Sequence, residues 1–152
     1  MNIVKTLDQY DENCVYFCEP IKNNVMNEGN FIRILYSTST FVLNGIYLLL
    51  NFNDISVEKY YNKYKCSFNV NMHKEIIESV KTLEENLLKK ITIKYKFPQS
   101  KIYEQLKNGN IKIFSDANFK QQSNTFLLKI SGAWETDTHY GLTYKFSKIT
   151  HP

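Results

Sequence analysis

Lysine alternates with aromatic or branched residues in four stretches of this chain: Tyr60 to Phe68, Ile91 to Phe97, Phe126 to Ile130 and Gly141 to Phe146. A period of two sends successive side chains to opposite faces of a strand. One face can then pack a core while the other presents ammonium groups and rings. Such a surface suits a flexible polyanion whose bases can stack on the rings. The candidate cations are Lys63, Lys65, Lys94, Lys96, Lys129 and Lys145, and the candidate rings are Tyr47, Tyr61, Trp134 and Tyr140. The competing reading is plain. Lysines alternating with apolar residues also describe the wet face of any sheet, and Trp134 can equally fill a core.

Catalytic chemistry has little to stand on. The chain holds no phosphate-binding glycine loop, dinucleotide fingerprint, HExxH or GxSxG pattern. His73 opens a predicted helix, His139 lies in a predicted turn and His151 is next to last, and no nucleophile is placed beside any of them. They read as exposed or capping imidazoles. Glu135 and Asp137 read as solvated turn acids. Cys14 and Cys18 are spaced like one half of a zinc site, but no second Cys or His pair completes it. Neither an enzyme, nor a metal, nor a cofactor is expected.

The elements that must position the lysines follow from periodicity. Residues 1–29 read as an acidic arm or irregular cover with a short strand near Val15-Tyr16-Phe17. Residues 30–152 read as one domain. Strands are expected at Phe31–Tyr36, at Phe41–Phe52 around a bend or bulge at Gly45, and at Tyr60–Val70. Ile76, Val80, Leu83, Leu87 and Ile91 then form a helical stripe, with Asn71 as N-cap. Further strands are expected at Thr92–Phe97, Ile111–Phe114, Phe126–Trp134 and Tyr140–Ile149, the last two as a hairpin. A short helix at Lys101–Leu106 and a polar loop at Asp116–Asn124 complete the order. This is an α+β, mainly β arrangement. It fits a five-stranded OB-type Greek-key barrel with one helix between the third and fourth strands.

Charge sharpens the picture. Of 152 residues, the first thirty carry two Lys against five acids, while residues 86–152 carry eleven Lys against four. Eighteen of the nineteen Lys and Arg residues are Lys, which holds phosphate as a point charge and favours backbone contact over base reading. The odd cysteine count and the lack of a signal peptide point to an intracellular, reducing compartment. The longest apolar stretch, Gly45 to Leu50, is too short to span a bilayer, so no membrane partner is expected.

Phe126-Leu127-Leu128-Lys129-Ile130-Ser131-Gly132-Ala133-Trp134-Glu135 followed by Tyr140-Gly141-Leu142-Thr143-Tyr144-Lys145-Phe146 resembles the closing strands of phage-type OB-fold single-stranded DNA-binding proteins, as found in large nucleocytoplasmic DNA viruses. Gly29 to Tyr36, leading into Asn44-Gly45-Ile46-Tyr47, is similar in layout, and the resemblance covers about residues 29–149. It implies a non-enzymatic protein that coats single strands during viral DNA replication, recombination or repair, in the host cytoplasm or a viral factory. The implied partners are single-stranded DNA, with RNA as the alternative, and replication proteins; self-association is left open. Phage members close on an acidic tail with a terminal aromatic. Residues Ser147 to Pro152 have neither feature, which makes Asp8, Asp11 and Glu12 the candidate substitute. The rival expectation is a viral structural or assembly protein that uses the same barrel for protein contacts.

Overall fold

The computed structural model describes residues 5–22, 29–91, 93, 95–114 and 125–148. In chain order the strands are β1 (Val15–Phe17), β2 (Ile21–Lys22), β3 (Asn30–Ser37), β4 (Val42–Leu43), β5 (Ile46–Asn51), β6 (Ser56–Tyr60) and β7 (Lys63–Ser67). Helix α1 (Lys74–Ile91) follows, then β8 (Phe97–Gln99), helix α2 (Lys101–Lys107), β9 (Asn110–Phe114), β10 (Thr125–Glu135) and β11 (His139–Lys148). The protein is mainly β with one long helix, and its larger sheet curls as a half-barrel. That sheet runs β1-β3-β10-β11-β8, with β2 and β4 added on β3 and β5 on β10; β6-β7-β9 form a separate three-stranded sheet.

Strand β10 is the spine. Its first half pairs with β5 and its second half with β3, while β11 lines its other edge throughout. The register slips between Ile130 and Gly132. One extra residue on one strand reverses which parity faces inward. Before the slip, even-numbered Phe126, Leu128 and Ile130 are buried; after it, odd-numbered Ala133 is buried and Trp134 is not. Gly45 makes a comparable break. Its φ of +138° and the 2.8 Å that a Cβ would leave to the Ile130 carbonyl oxygen demand glycine. Here the expected Phe41–Phe52 strand divides into β4, paired with β3, and β5, paired with β10.

The core follows the expected alternation. Ile46, Leu48, Leu50 and Phe52 are all buried on one face. Of the helical stripe, Val80, Leu83 and Leu87 are buried and Ile76 and Ile91 half-buried, while Ile77 and Leu88 beside them are buried on α1, each buried one worth roughly 1.5–3 kcal/mol before entropy is charged against it. The cap differs. A 3-10 turn at Val70–His73 precedes α1, and its N-cap is Asn69, whose side chain accepts from the Asn71 and Met72 amides.

Several expectations are corrected. The Tyr60–Val70 strand is instead the hairpin β6–β7, because Tyr61 adopts a φ of +56° and turns the chain. In place of a Thr92–Phe97 strand, Tyr95 takes a φ of +67° and β8 begins at Phe97. Strand β8 runs parallel to β11 at the sheet edge, where Pro98 costs no ladder bond. His73 is neither exposed nor a cap. It is buried, with Nδ1 2.7 Å from the Asn69 carbonyl oxygen and Nε2 accepting from the Asn53 amide at 2.8 Å. Both ring nitrogens are thereby used in tying the turn to β5's end. The Asp116–Asn124 loop, Thr92 and Ile149 lie outside the described residues.

The N-terminal segment is a cover rather than a free arm. Lys5 bridges to Leu48, β1 and β2 both pair with β3, and Leu7, Tyr10, Cys14, Val15 and Phe17 pack on the core. Two of its acids are tied in too: Asp11 Oδ1 accepts from the Asn13 amide, and Glu12 pairs with Lys90 at 3.6 Å. Among the described residues, no helix is long and apolar enough to cross a membrane.

Candidate nucleic-acid interface

The two sheets approach each other where β9 faces β11, and α2 closes the end of the gap. The resulting groove, about 620 Å³, is lined by Lys65, Lys101, Glu104, Gln105, Asn108, Asn110, Lys112, Tyr144, Lys145 and Phe146. Four lysines thus stand against one glutamate.

Sheet register explains how they meet. Lys65 on β7 is the direct partner of Lys112 on β9, and Lys145 on β11 is the direct partner of Lys129 on β10. Lys129 is in turn the partner of Tyr47 on β5 and places its ammonium 5.5 Å from that ring's centre. Directly opposed residues share a face, so Lys65 and Lys112 flank the groove from one side and Lys145 from the other, with Lys129 beside Lys145 on β10. Like charges placed directly opposite are destabilising. Glu58 opposes Lys65 from β6 and relieves that pair in part.

A second hollow of about 370 Å³ adjoins the first through Lys101, with Gln99, Trp134, Thr136 and His139 as its other walls. The slip after Ile130 is what brings Trp134 here. It moves the indole from the core face to the face of Lys129 and Lys145, opposite Gly141. Gly141 is required in that place, since a Cβ would come within 2.7 Å of the indole. Lys101 lies over the ring, 4.7 Å from its centre, a cation–π contact. His139 is held by a 2.7 Å bond between Nδ1 and the Thr138 hydroxyl.

Tyr144 forms part of the groove wall and donates to Gln105 Oε1 at 2.8 Å. Burial, with Glu84 and Glu104 nearby, pushes its phenol up to about 12, so it stays a hydrogen-bond donor across the physiological range.

The expected residues therefore separate. Lys65, Lys145 and Trp134 line the two hollows, and Lys129 and Tyr47 extend the row from Lys145 across β10 and β5. Tyr140 is corrected: it is 5% exposed and belongs to the core, because it shares strand parity with Leu142 and Phe146. Lys96 is bound elsewhere, in a 3.1 Å ion pair with Glu135, so Glu135 is not a free turn acid either. Tyr61 is 93% exposed at the β6–β7 turn, and Lys63 at the foot of that turn is half-buried; neither lines a hollow. Lys94 lies outside the described residues. Lys101, Lys112, Tyr144 and His139 were not expected. Lys112 was open to discovery, since Ile111-Lys112-Ile113 repeats the alternation that marked the other strands.

Among the described residues, no three His, Cys, Asp or Glu side chains are grouped so as to hold a metal ion. No protein-family model, curated protein or solved structure matches the chain.

Proposed function

We propose that this protein binds single-stranded nucleic acid, DNA in the first instance, along the groove between β9 and β11, with the backbone held by Lys65, Lys101, Lys112 and Lys145. The carrying observation is the convergence of four lysines on the groove, with Lys65 and Lys112 directly opposed on one side and Lys145, itself opposed by Lys129, on the other. Each couple costs folding energy, on the order of a few tenths of a kcal/mol, and a phosphate lying between them offsets that repulsion. Trp134 and Tyr144 supply rings beside the cations, as a sequence-tolerant strand binder needs. The curled sheet, the bent spine β10 and the helix between β7 and β9 support reading the fold as an OB-type barrel open at this gap. The resemblance of Phe126–Phe146 to phage-type single-stranded DNA-binding proteins supports a role in viral DNA replication, recombination or repair.

Titrating labelled oligo-dT by fluorescence anisotropy at several salt concentrations tests the reading. Log affinity should fall with log salt with a slope near −0.7 per phosphate neutralised. A flat salt profile, or no binding at low salt, sinks it. A protein-contact module is the second reading. It is favoured by Tyr95 and Phe97, 99% and 68% exposed beside the β8 edge, and a salt-insensitive association of the chain with itself would select it.

A further inference from the structure

Glu84 is a carboxylate in the wrong place for a solvated helix residue. It sits within the apolar stripe of α1, between Val80 and Leu87, and is wholly buried. Burying a carboxylate costs several kcal/mol unless its oxygens are satisfied. They are satisfied by backbone alone: the Ile102 amide donates to Oε2 at 3.0 Å and the Tyr103 amide to Oε1 at 2.8 Å. These are N-terminal amides of α2, whose own N-cap, Ser100, makes no side-chain bond to it. Glu84 therefore supplies from a neighbouring helix the acceptor that a cap would supply locally. A helix of two turns does not hold its place by itself, and α2 carries the groove residues Lys101, Glu104, Gln105 and Asn108.

We propose that Glu84 is the positioning residue for the α2 wall of the groove and that its protonation is coupled to strand binding, so that the occupied groove takes up a proton. This rests on the reading of the groove as a nucleic-acid site. The charged and titratable groups that face Glu84 are Glu85 on its own helix, Glu104 and Tyr103 on α2, and Tyr144 on β11. None is a cation, so only its two amide bonds hold the carboxyl's pKa down. Burial first, then Glu104 and Glu85, push it up to about 7 against the pull of its two amides. A phosphate entering the groove adds negative charge near the carboxylate and raises its proton affinity further. By reciprocity, protonation tightens binding.

The test is calorimetric titration of the full chain with oligo-dT, at pH 6 and pH 8 and fixed salt, in two buffers of different ionisation enthalpy. Wild-type affinity should be about fivefold or more higher at pH 6, with net proton uptake. Glu84→Gln should bind equally at both pH values and take up no proton through this site. His139→Asn, which removes the imidazole that lines the second hollow, should keep the wild-type difference. Proton-free binding by the wild type, or an unchanged pH difference in Glu84→Gln, overturns the coupling and leaves the groove reading standing. Absence of oligo-dT binding at both pH values overturns both. The wild-type proton measurement stands even if Glu84→Gln folds poorly.

Discussion

The ammonium of Lys101, the first residue of α2, lies 4.7 Å from the centre of the Trp134 ring, and the indole packs against Gly141. The cation occupies the surface on which a base would stack, so base and ammonium compete. On the proposed function, an entering strand would give the ring to a base and Lys101 to a phosphate. Trp134 is the chain's one tryptophan, so its emission reports on this site alone. Oligo-dT should quench it in step with the anisotropy of a labelled strand. Trp134→Leu should weaken binding by roughly 1–3 kcal/mol. Anisotropy that rises while Trp134 emission stays constant would remove the second hollow from the strand's path.

The opposed lysines carry their own prediction. Removing one member of a like-charged cross-strand pair relieves repulsion, so Lys112→Ala and Lys145→Ala should melt at or above the wild-type temperature. Each gains on the order of a few tenths of a kcal/mol. Both should bind oligo-dT more weakly, and each should flatten the salt slope by about 0.7. A variant that loses stability together with affinity would mark its lysine as structural.

Glu84 also sets a stability profile. Its carboxyl is raised from 4.5 to about 7 in the fold, so between those pH values the native state keeps a proton that the unfolded chain releases. Stability from this group is therefore complete below about pH 4.5 and is lost as pH rises through 7. The loss reaches roughly 3 kcal/mol, at about 1.4 kcal/mol per tenfold change in proton binding. Urea unfolding of the wild type should show this decline between pH 5 and pH 8, and Glu84→Gln should abolish it. An identical decline in both proteins would assign it to another group.

Gly45 is the hinge between β4 and β5. Gly45→Ala forces a side chain into a φ of +138° and against the Ile130 carbonyl oxygen, and should cost on the order of 1–3 kcal/mol in chemical denaturation. Unaltered stability would mean that the chain does not divide the two strands in this way.

Much of the secondary structure was legible. The intervals of the α1 stripe, the alternation of Ile46 to Phe52 and the closing hairpin all reappear, because each is a local pattern that one amphipathic element expresses by itself. Tyr140, expected as a stacking ring, is instead in the core, although its parity with Leu142 and Phe146 was already in the sequence. The breaks at Tyr61 and Tyr95 were not legible, because a positive φ at tyrosine carries no compositional mark.

The sequence by itself determined which side chains share a face of their own strand and that the C-terminal half is rich in cations. Tertiary structure alone decided which lysines meet. A period of two relates a residue to its own strand and says nothing about the register of the next. Register set Lys65 against Lys112 and Lys129 against Lys145, and the docking of the segment before β8 gave Lys96 to Glu135. A single slip at Ser131 exchanged the faces of β10 and delivered Trp134 to the cations. The burial of Glu84 had the same origin: only the docking of α2 supplies the amides that let a carboxylate stand inside an apolar stripe.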